Sequence, residues 1–284
     1  PHFLVFSEFA KESATPLIKF SDAIGQNKGF QTMASFVPQG TLSLQSKKEL
    51  RKEMMSHFKT QKVQSFIKIF ESDDPADGMK QMMRFSGLGP LSPNTLLLGS
   101  LHKETKSKGF EEVIQAAYSM HYNVVIMNDD HNPFQEANPE KRDIHIWWDD
   151  QYLDNSNLML VFSYMLQCNP IRKNSRIFVK AIVADEFQKK IKIEEFEKLS
   201  LEKRLPIDIK VYVASNGLVE RMQLISEFSK NAEMTFISLA PPPVGESMED
   251  YLNDLKIIAK GVVGLHTAGL VLSSEQAPLH VLLH

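Results

Sequence analysis

The chain has 284 residues, of which 43% are hydrophobic and 24% charged, and a formal net charge of −3. It is long enough for one large or two ordinary domains, too apolar for a disordered chain, and it lacks the basic excess that marks nucleic-acid binding. No run reaches the ~18 uninterrupted apolar residues of a membrane span; Cys168 is the single cysteine, so no intramolecular disulfide forms and a reducing compartment fits.

The start shows no signal-peptide pattern and runs directly into an apolar strand, Phe3–Ser7. Thr15-Pro16 then supplies an N-cap followed by proline at the first helical position, with Leu17, Ile18, Ser21 and Ile24 along one face. After a strand over Phe30–Phe36, Ser46 and Glu49 form a capping-box pattern ahead of Leu50, Met54 and Phe58. A strand over Ser65–Phe70 leads to Asp74-Pro75, a helix start that turns Met79, Met82 and Met83 to the core. In Phe85–Ser100, Gly87 and Gly89 end that helix, Pro90 and Pro93 forbid its continuation, and Thr95–Gly99 reads as a strand covered on both faces. Phe110, Val113, Ile114, Ala117, Tyr118 and His121 make the clearest helical stripe, followed by a strand over Val124–Met127.

Asp129–Arg142 is polar, carries Pro133 and Pro139 and has no apolar period, so it reads as a boundary. Beyond it come strands at Ile144–Trp148, Ile177–Ala184, Ile209–Ala214, Met234–Leu239 and Gly269–Leu272. Between them lie helical stripes Leu218, Met222, Ile225, Phe228 and Met248, Leu252, Leu255, Ile258. Strands recurring about every thirty residues with helices between them imply crossover units and a mainly parallel sheet. The expectation is an α/β fold of two similar five-stranded halves, 1–140 and 141–284, which either share one sheet or pack as two subdomains.

Candidate chemistry is sparse. A phosphate cradle needs glycines between strand and helix. The turn after the first strand, Glu8-Phe-Ala-Lys-Glu-Ser13, has none and carries two glutamates. The loop Gly99–Gly109, with Lys103, Lys106 and Lys108, imitates such a cradle thinly, and an ordinary connecting loop is the competing reading. Asn128-Asp129-Asp130-His131 and Trp148-Asp149-Asp150 offer oxygen ligands without metal-site spacing, and acids after a strand commonly cap turns. No nucleophile elbow is present; Cys168 reads as a small buried hydrophobe, and His121 and His145 as structural. No catalytic, cofactor-binding or metal residue is therefore named, and no cofactor is expected. Trp147 and Trp148 point to opposite sheet faces, so that one indole fills the core under each helical layer unless one ring sits at an interface. The charged stretch Glu186–Arg204 reads as a solvated helix and Ala240–Glu246 as a stiff loop.

Two segments carry a family resemblance. Gly87-Leu-Gly89, Pro93-Asn94, the apolar run Thr95–Leu98 and Gly99 are similar to a segment of the cytosolic C-terminal domain of cation-chloride cotransporters. Asp143-Ile-His-Ile-Trp-Trp-Asp-Asp150 followed by Leu158–Leu166 resembles that family's Trp-Trp, acidic loop and leucine-rich helix, and Arg172–Val183 continues the likeness. The match is good over about Thr95–Val183 and rests on element order elsewhere. The long phosphorylatable loops of eukaryotic members are missing, so kinase control is not carried over and a compact prokaryotic relative is the better picture. The resemblance implies two halves of the universal stress protein type. It further implies a noncatalytic regulatory and dimerisation domain on the cytoplasmic side of the plasma membrane. Partners would be a second copy, a transporter domain before residue 1 that moves chloride with sodium, potassium or both, and cytosolic regulators. The alternative is a stand-alone nucleotide-binding protein of the stress-protein type using Gly99–Gly109. Pro1 at the start fits an excised domain as well as methionine removal.

Overall fold

The structure, a computed structural model, describes residues 1–6, 11–25, 29–61, 63–86, 92–99, 109–128, 143–215, 217–243 and 248–274. The first half runs β1 (His2–Phe6), α1 (Lys11–Gly25), β2 (Phe30–Val37), α2 (Leu44–Thr60), β3 (Phe66–Glu71), α3 (Pro75–Phe85), β4 (Thr95–Leu98), α4 (Phe110–Ser119) and β5 (Asn123–Asn128). The second runs β6 (Ile144–Trp147), α5 (Leu153–Gln167), β7 (Ile177–Val183), α6 (Glu186–Lys203), β8 (Ile207–Val213), α7 (Leu218–Ser229), β9 (Met234–Ser238), α8 (Met248–Gly261) and β10 (Ala268–Leu272).

All ten strands join one sheet in the order β3-β2-β1-β4-β5-β10-β9-β6-β7-β8. Each half has the same internal order, and every pairing is parallel except β5 with β10. The halves thus share one continuous sheet, related by an approximate two-fold through the β5–β10 seam, with their strands running in opposite senses. The proposed boundary, 129–142, lies outside the described residues.

Because strand side chains alternate, the buried sheet needs two cores. One packs β-strand residues such as Phe3, Val125, Ile146 and Phe236 under α1, α2, α5 and α6; the other packs Leu4, Ile126, Trp147 and Leu270 under α3, α4, α7 and α8. Trp147 and Trp148 fall into opposite cores, the first 1% and the second 9% exposed. Within the second half, Asn155 of α5 ties the ends of β9 and β10 together, donating to Ser238 Oγ and the Leu239 carbonyl and accepting from the Ser273 amide.

Helix starts differ from expectation in two places. Asp74 does cap α3, accepting from the amides of Ala76 and Asp77, with proline at its first turn. The cap of α2, however, is Ser43, which accepts from the Ser46 amide, so the helix begins a turn earlier than Ser46. Ser43 supplies the capping hydroxyl three residues earlier, and Glu49, inside the helix, accepts from Gln45 one turn back and closes no box on Ser46. α1 begins at Lys11, leaving Pro16 inside the helix and Thr15 without its capping position. α4 ends at Ser119; His121 lies beyond it, exposed and at φ 61°, not on the core stripe.

Candidate functional site at the second switch point

In open α/β sheets, ligands gather beyond the carboxyl ends of strands where the strand order reverses. This sheet has two such points, between β1 and β4 and between β6 and β9. At the first, residues 7–10 and 100–108, and with them most of the Gly99–Gly109 loop, lie outside the described residues. The two glycines have local reasons of their own. A Cβ on Gly99 would meet Leu17 at 2.9 Å, and Gly109 starts α4 from the left-handed region at φ 86°.

The second point holds a cavity of about 220 Å³. Its floor is apolar: Met222, Ile237, Leu239 and Leu255 are all nearly or fully buried. Asp149, Tyr152, Arg221, Tyr251 and Asp254 supply the polar lining. Asp149 leaves β6 in a turn fixed by Ser156, whose hydroxyl accepts from the Asp149 amide at 2.9 Å and donates to its carbonyl. Its carboxylate pairs with Arg221 from the first turn of α7 at 2.9 Å. Tyr251 of α8 donates to the Ala240 carbonyl, and burial raises its phenol far above the ordinary range. Burial and the charge of Asp149 raise Tyr152 as well.

This cavity is a poor phosphate site. Pro241, Pro242 and Pro243 follow β9 where a cradle needs backbone N–H groups. Two carboxylates face one guanidinium, so the lining has no positive excess. No nucleophile, base and orienting group converge on it; Ser238, on the wall, is engaged by Asn155.

A second polar constellation is buried beneath α7. Lys180 of β7 is 4% exposed, and its ammonium donates to the Phe228 carbonyl at 2.6 Å and to His145 Nδ1 at 3.0 Å. Ser229 Oγ accepts from Trp147 Nε1 at 2.9 Å and lies 3.1 Å from the same imidazole nitrogen. Burial, then the charges of Lys180 and Arg176, push His145 down to about 3; burial lowers Lys180 to about 8. His145 is therefore neutral near pH 7, accepting at Nδ1.

The remaining sequence candidates stay apart. Asp149 and Asp150 do not form a metal cluster: Asp150 pairs with Lys192 at 2.7 Å, and no group of three or more ligand residues occurs among the described residues. Asn128 is buried and Asp129, Asp130 and His131 lie outside the described residues. Cys168 is exposed, contrary to the reading of it as a buried hydrophobe, because it caps α5 just past Leu166, the last residue of the stripe to face the core. Of the stretch Glu186–Arg204, Glu186–Lys203 forms the charged helix α6, with only Phe196 fully buried, and Arg204 caps it. Lys180, Ser229, Arg221 and Tyr251 went unnoticed in the sequence. Lys180 left a signal, a lone cation inside the strand Ile177–Val183; the others become visible only once the strand order is known.

A sequence profile of the family described as solute carrier family 12 matches residues 14–131. No curated protein matches the sequence. Among solved structures, the cytoplasmic domain of a prokaryotic cation chloride cotransporter is 16% identical and has a TM-score of 0.69, covering 99% of this chain and 98% of that one. A universal stress protein from Archaeoglobus fulgidus DSM 4304 is 10% identical with a TM-score of 0.58, over 95% of each chain. A protein of Pseudomonas aeruginosa UCBPP-PA14 assigned to the same group is 9% identical with a TM-score of 0.59, over 99% of this chain and 96% of that one. The chain thus has a mostly parallel α/β fold like that of the universal stress proteins; it resembles the cytoplasmic domain of a prokaryotic cation chloride cotransporter in fold over its length, and solute carrier family 12 in sequence over residues 14–131.

Proposed function

We propose that this chain is a noncatalytic cytosolic regulatory and dimerisation domain of a secondary-active cation-chloride cotransporter. The solute carrier family 12 match carries the reading, and the likeness of the whole fold to a cotransporter's cytoplasmic domain supports it. The membrane domain that moves chloride with sodium, potassium or both precedes Pro1 in this reading; no helix among the described residues is long and apolar enough to cross a membrane. The domain's work is contact: it joins two transporters and biases their populations in response to cytosolic signals. It lies on the cytoplasmic side of the plasma membrane. The 1–140 and 141–284 halves act together in it as one body.

The coding sequence upstream of Pro1 tests this, with about ten or more membrane-spanning segments expected. Chloride-dependent uptake of a potassium congener in cells, with and without this domain, tests the regulatory role. Light scattering on the isolated chain is expected to give twice the monomer mass. The nucleotide-binding alternative, at Gly99–Gly109, requires saturable heat on titration with ATP.

A further inference from the structure

The approximate two-fold supplies an internal control. Where β6, β7 and β8 set Asp143, Arg176 and Asp208, the corresponding positions of β1, β2 and β3 hold His2, Phe30 and Phe66. The second half fills this corner with charge. Arg176 makes a two-pronged pair with Asp143 at 2.9 and 3.1 Å and lies within electrostatic reach of Asp208. The first half instead leaves two phenylalanines in solvent, Phe30 49% and Phe66 57% exposed, stacked with ring centres 6.3 Å apart. The fold has a polar solution for this corner and does not need aromatic rings there. Two adjacent rings kept in water at a position where charge would serve make this corner a candidate contact site.

The surroundings indicate the kind of contact. The rings border a shallow groove of about 220 Å³ whose lining includes Arg51, Lys68, His2 and Pro93. Neither Arg51 nor Lys68 makes an ion pair among the described residues, whereas Lys47 finds Glu71 and Lys80 finds Asp77 and Glu112. Two uncompensated cations around two bare rings complement a surface that is anionic outside and apolar within. The corner also sits beside the start of the chain, since the Pro1 carbonyl lies 3.3 Å from where a Cβ on Gly29 would stand, next to Phe30.

We propose that the Phe30–Phe66 corner, flanked by Arg51 and Lys68, docks on the anionic headgroups of the bilayer, with the two rings entering the interfacial layer. The proposal rests on the cotransporter reading, which places the bilayer next to residue 1. Two rings and two cations bind weakly on their own; a chain tethered at residue 1 gains effective concentration that makes the contact persistent.

The test uses the whole 284-residue chain carrying Phe66→Trp, tethered by an N-terminal hexahistidine tag to vesicles containing nickel-chelating lipid, phosphatidylserine and brominated phosphatidylcholine. Trp147 and Trp148 are buried and serve as the background in the parent chain. The expected result is a blue shift and about twofold quenching of the new indole relative to unbrominated vesicles, reduced in half-molar salt. The same chain with Arg51→Glu and Lys68→Glu is expected to lose the quenching while keeping its circular dichroism. Absence of quenching on anionic vesicles overturns the proposal. So does equal quenching without phosphatidylserine, and so does a spectral shift that appears only when the separately reconstituted membrane domain is added, which would give the corner to a protein contact. None of these outcomes decides the cotransporter reading, which the upstream coding sequence settles independently.

Discussion

Lys180 shows how far a single side chain can depart from what its fold requires. Where the first half sets Leu4, Phe6 and Ala34 at the corresponding register, the second sets His145, Trp147 and Lys180. A buried cation is tolerated here because the α7 carbonyl of Phe228 and the His145 lone pair receive its protons, near the negative end of the helix. The imidazole sets a pH dependence. An unfolded chain protonates His145 through 6.5, whereas the folded one resists until about 3. Its contribution to stability is therefore complete above pH 6.5 and lost as pH falls toward 3, by a few kcal/mol in all. Urea midpoints measured from pH 7 to 4 should fall more steeply for the native chain than for His145→Asn, which keeps an acceptor near Nδ1 but cannot charge. Lys180 acts in the other window: between about 8 and 10.5 the unfolded chain holds a proton that the folded one has shed, so stability gains with rising pH there. Ser229→Ala leaves the Trp147 indole N–H without its acceptor and should cost about 1–3 kcal/mol in urea denaturation at pH 7.

At the scale of elements, most of the design was legible and the errors have local causes. The ten strands read correctly because each is a short apolar or β-branched run closed by turn residues, as in Thr95–Leu98 and Ile144–Trp147. Asp74-Pro75 was legible because capping and the fixed proline φ agree. The serine at 46 misled because Ser43, three residues earlier, offers the same hydroxyl and takes the cap, which leaves Glu49 to accept from Gln45 along the helix. His121 misled because the apolar spacing carries on past Ser119, where the helix ends, to a residue whose backbone is itself left-handed. The cavity beside β6 and β9 was invisible because Asp149, Arg221 and Tyr251 are brought together by strand order, which no local pattern encodes. Close helix-to-sheet contact adds a prediction of its own. A Cβ on Gly78 of α3 would stand 2.7 Å from the Phe36 ring and 2.9 Å from Ser72 Cβ. Gly78→Ala should therefore lower stability by about 1–2 kcal/mol in thermal or urea melts, despite the better helix propensity of alanine.

The whole molecule is held by its seam. Val124, Val125, Ile126 and Met127 of β5 and Leu270, Val271 and Leu272 of β10 are at most 1% exposed. Separating the halves would uncover a full sheet edge and both cores at once. Residues 1–142 and 143–284 expressed apart should aggregate, and expressed together they should copurify as a one-to-one complex, which gel filtration checks. One cooperative melting transition is expected for the intact chain. The likeness of the two halves was legible only as element count; its symmetry appeared with the shared strand order, since corresponding positions hold different side chains, as Phe30 and Phe66 against Arg176 and Asp208 show.

The opposed running of the two halves has a spatial consequence. Each rim of the ten-stranded sheet gathers strand starts from one half and strand ends from the other. That rim to which residue 1 belongs also carries the carboxyl ends of β6 and β9, and therefore the cavity. Anything lodged between Asp149 and Tyr251 would thus stand on the same side of the sheet as residue 1, and not across the slab from it.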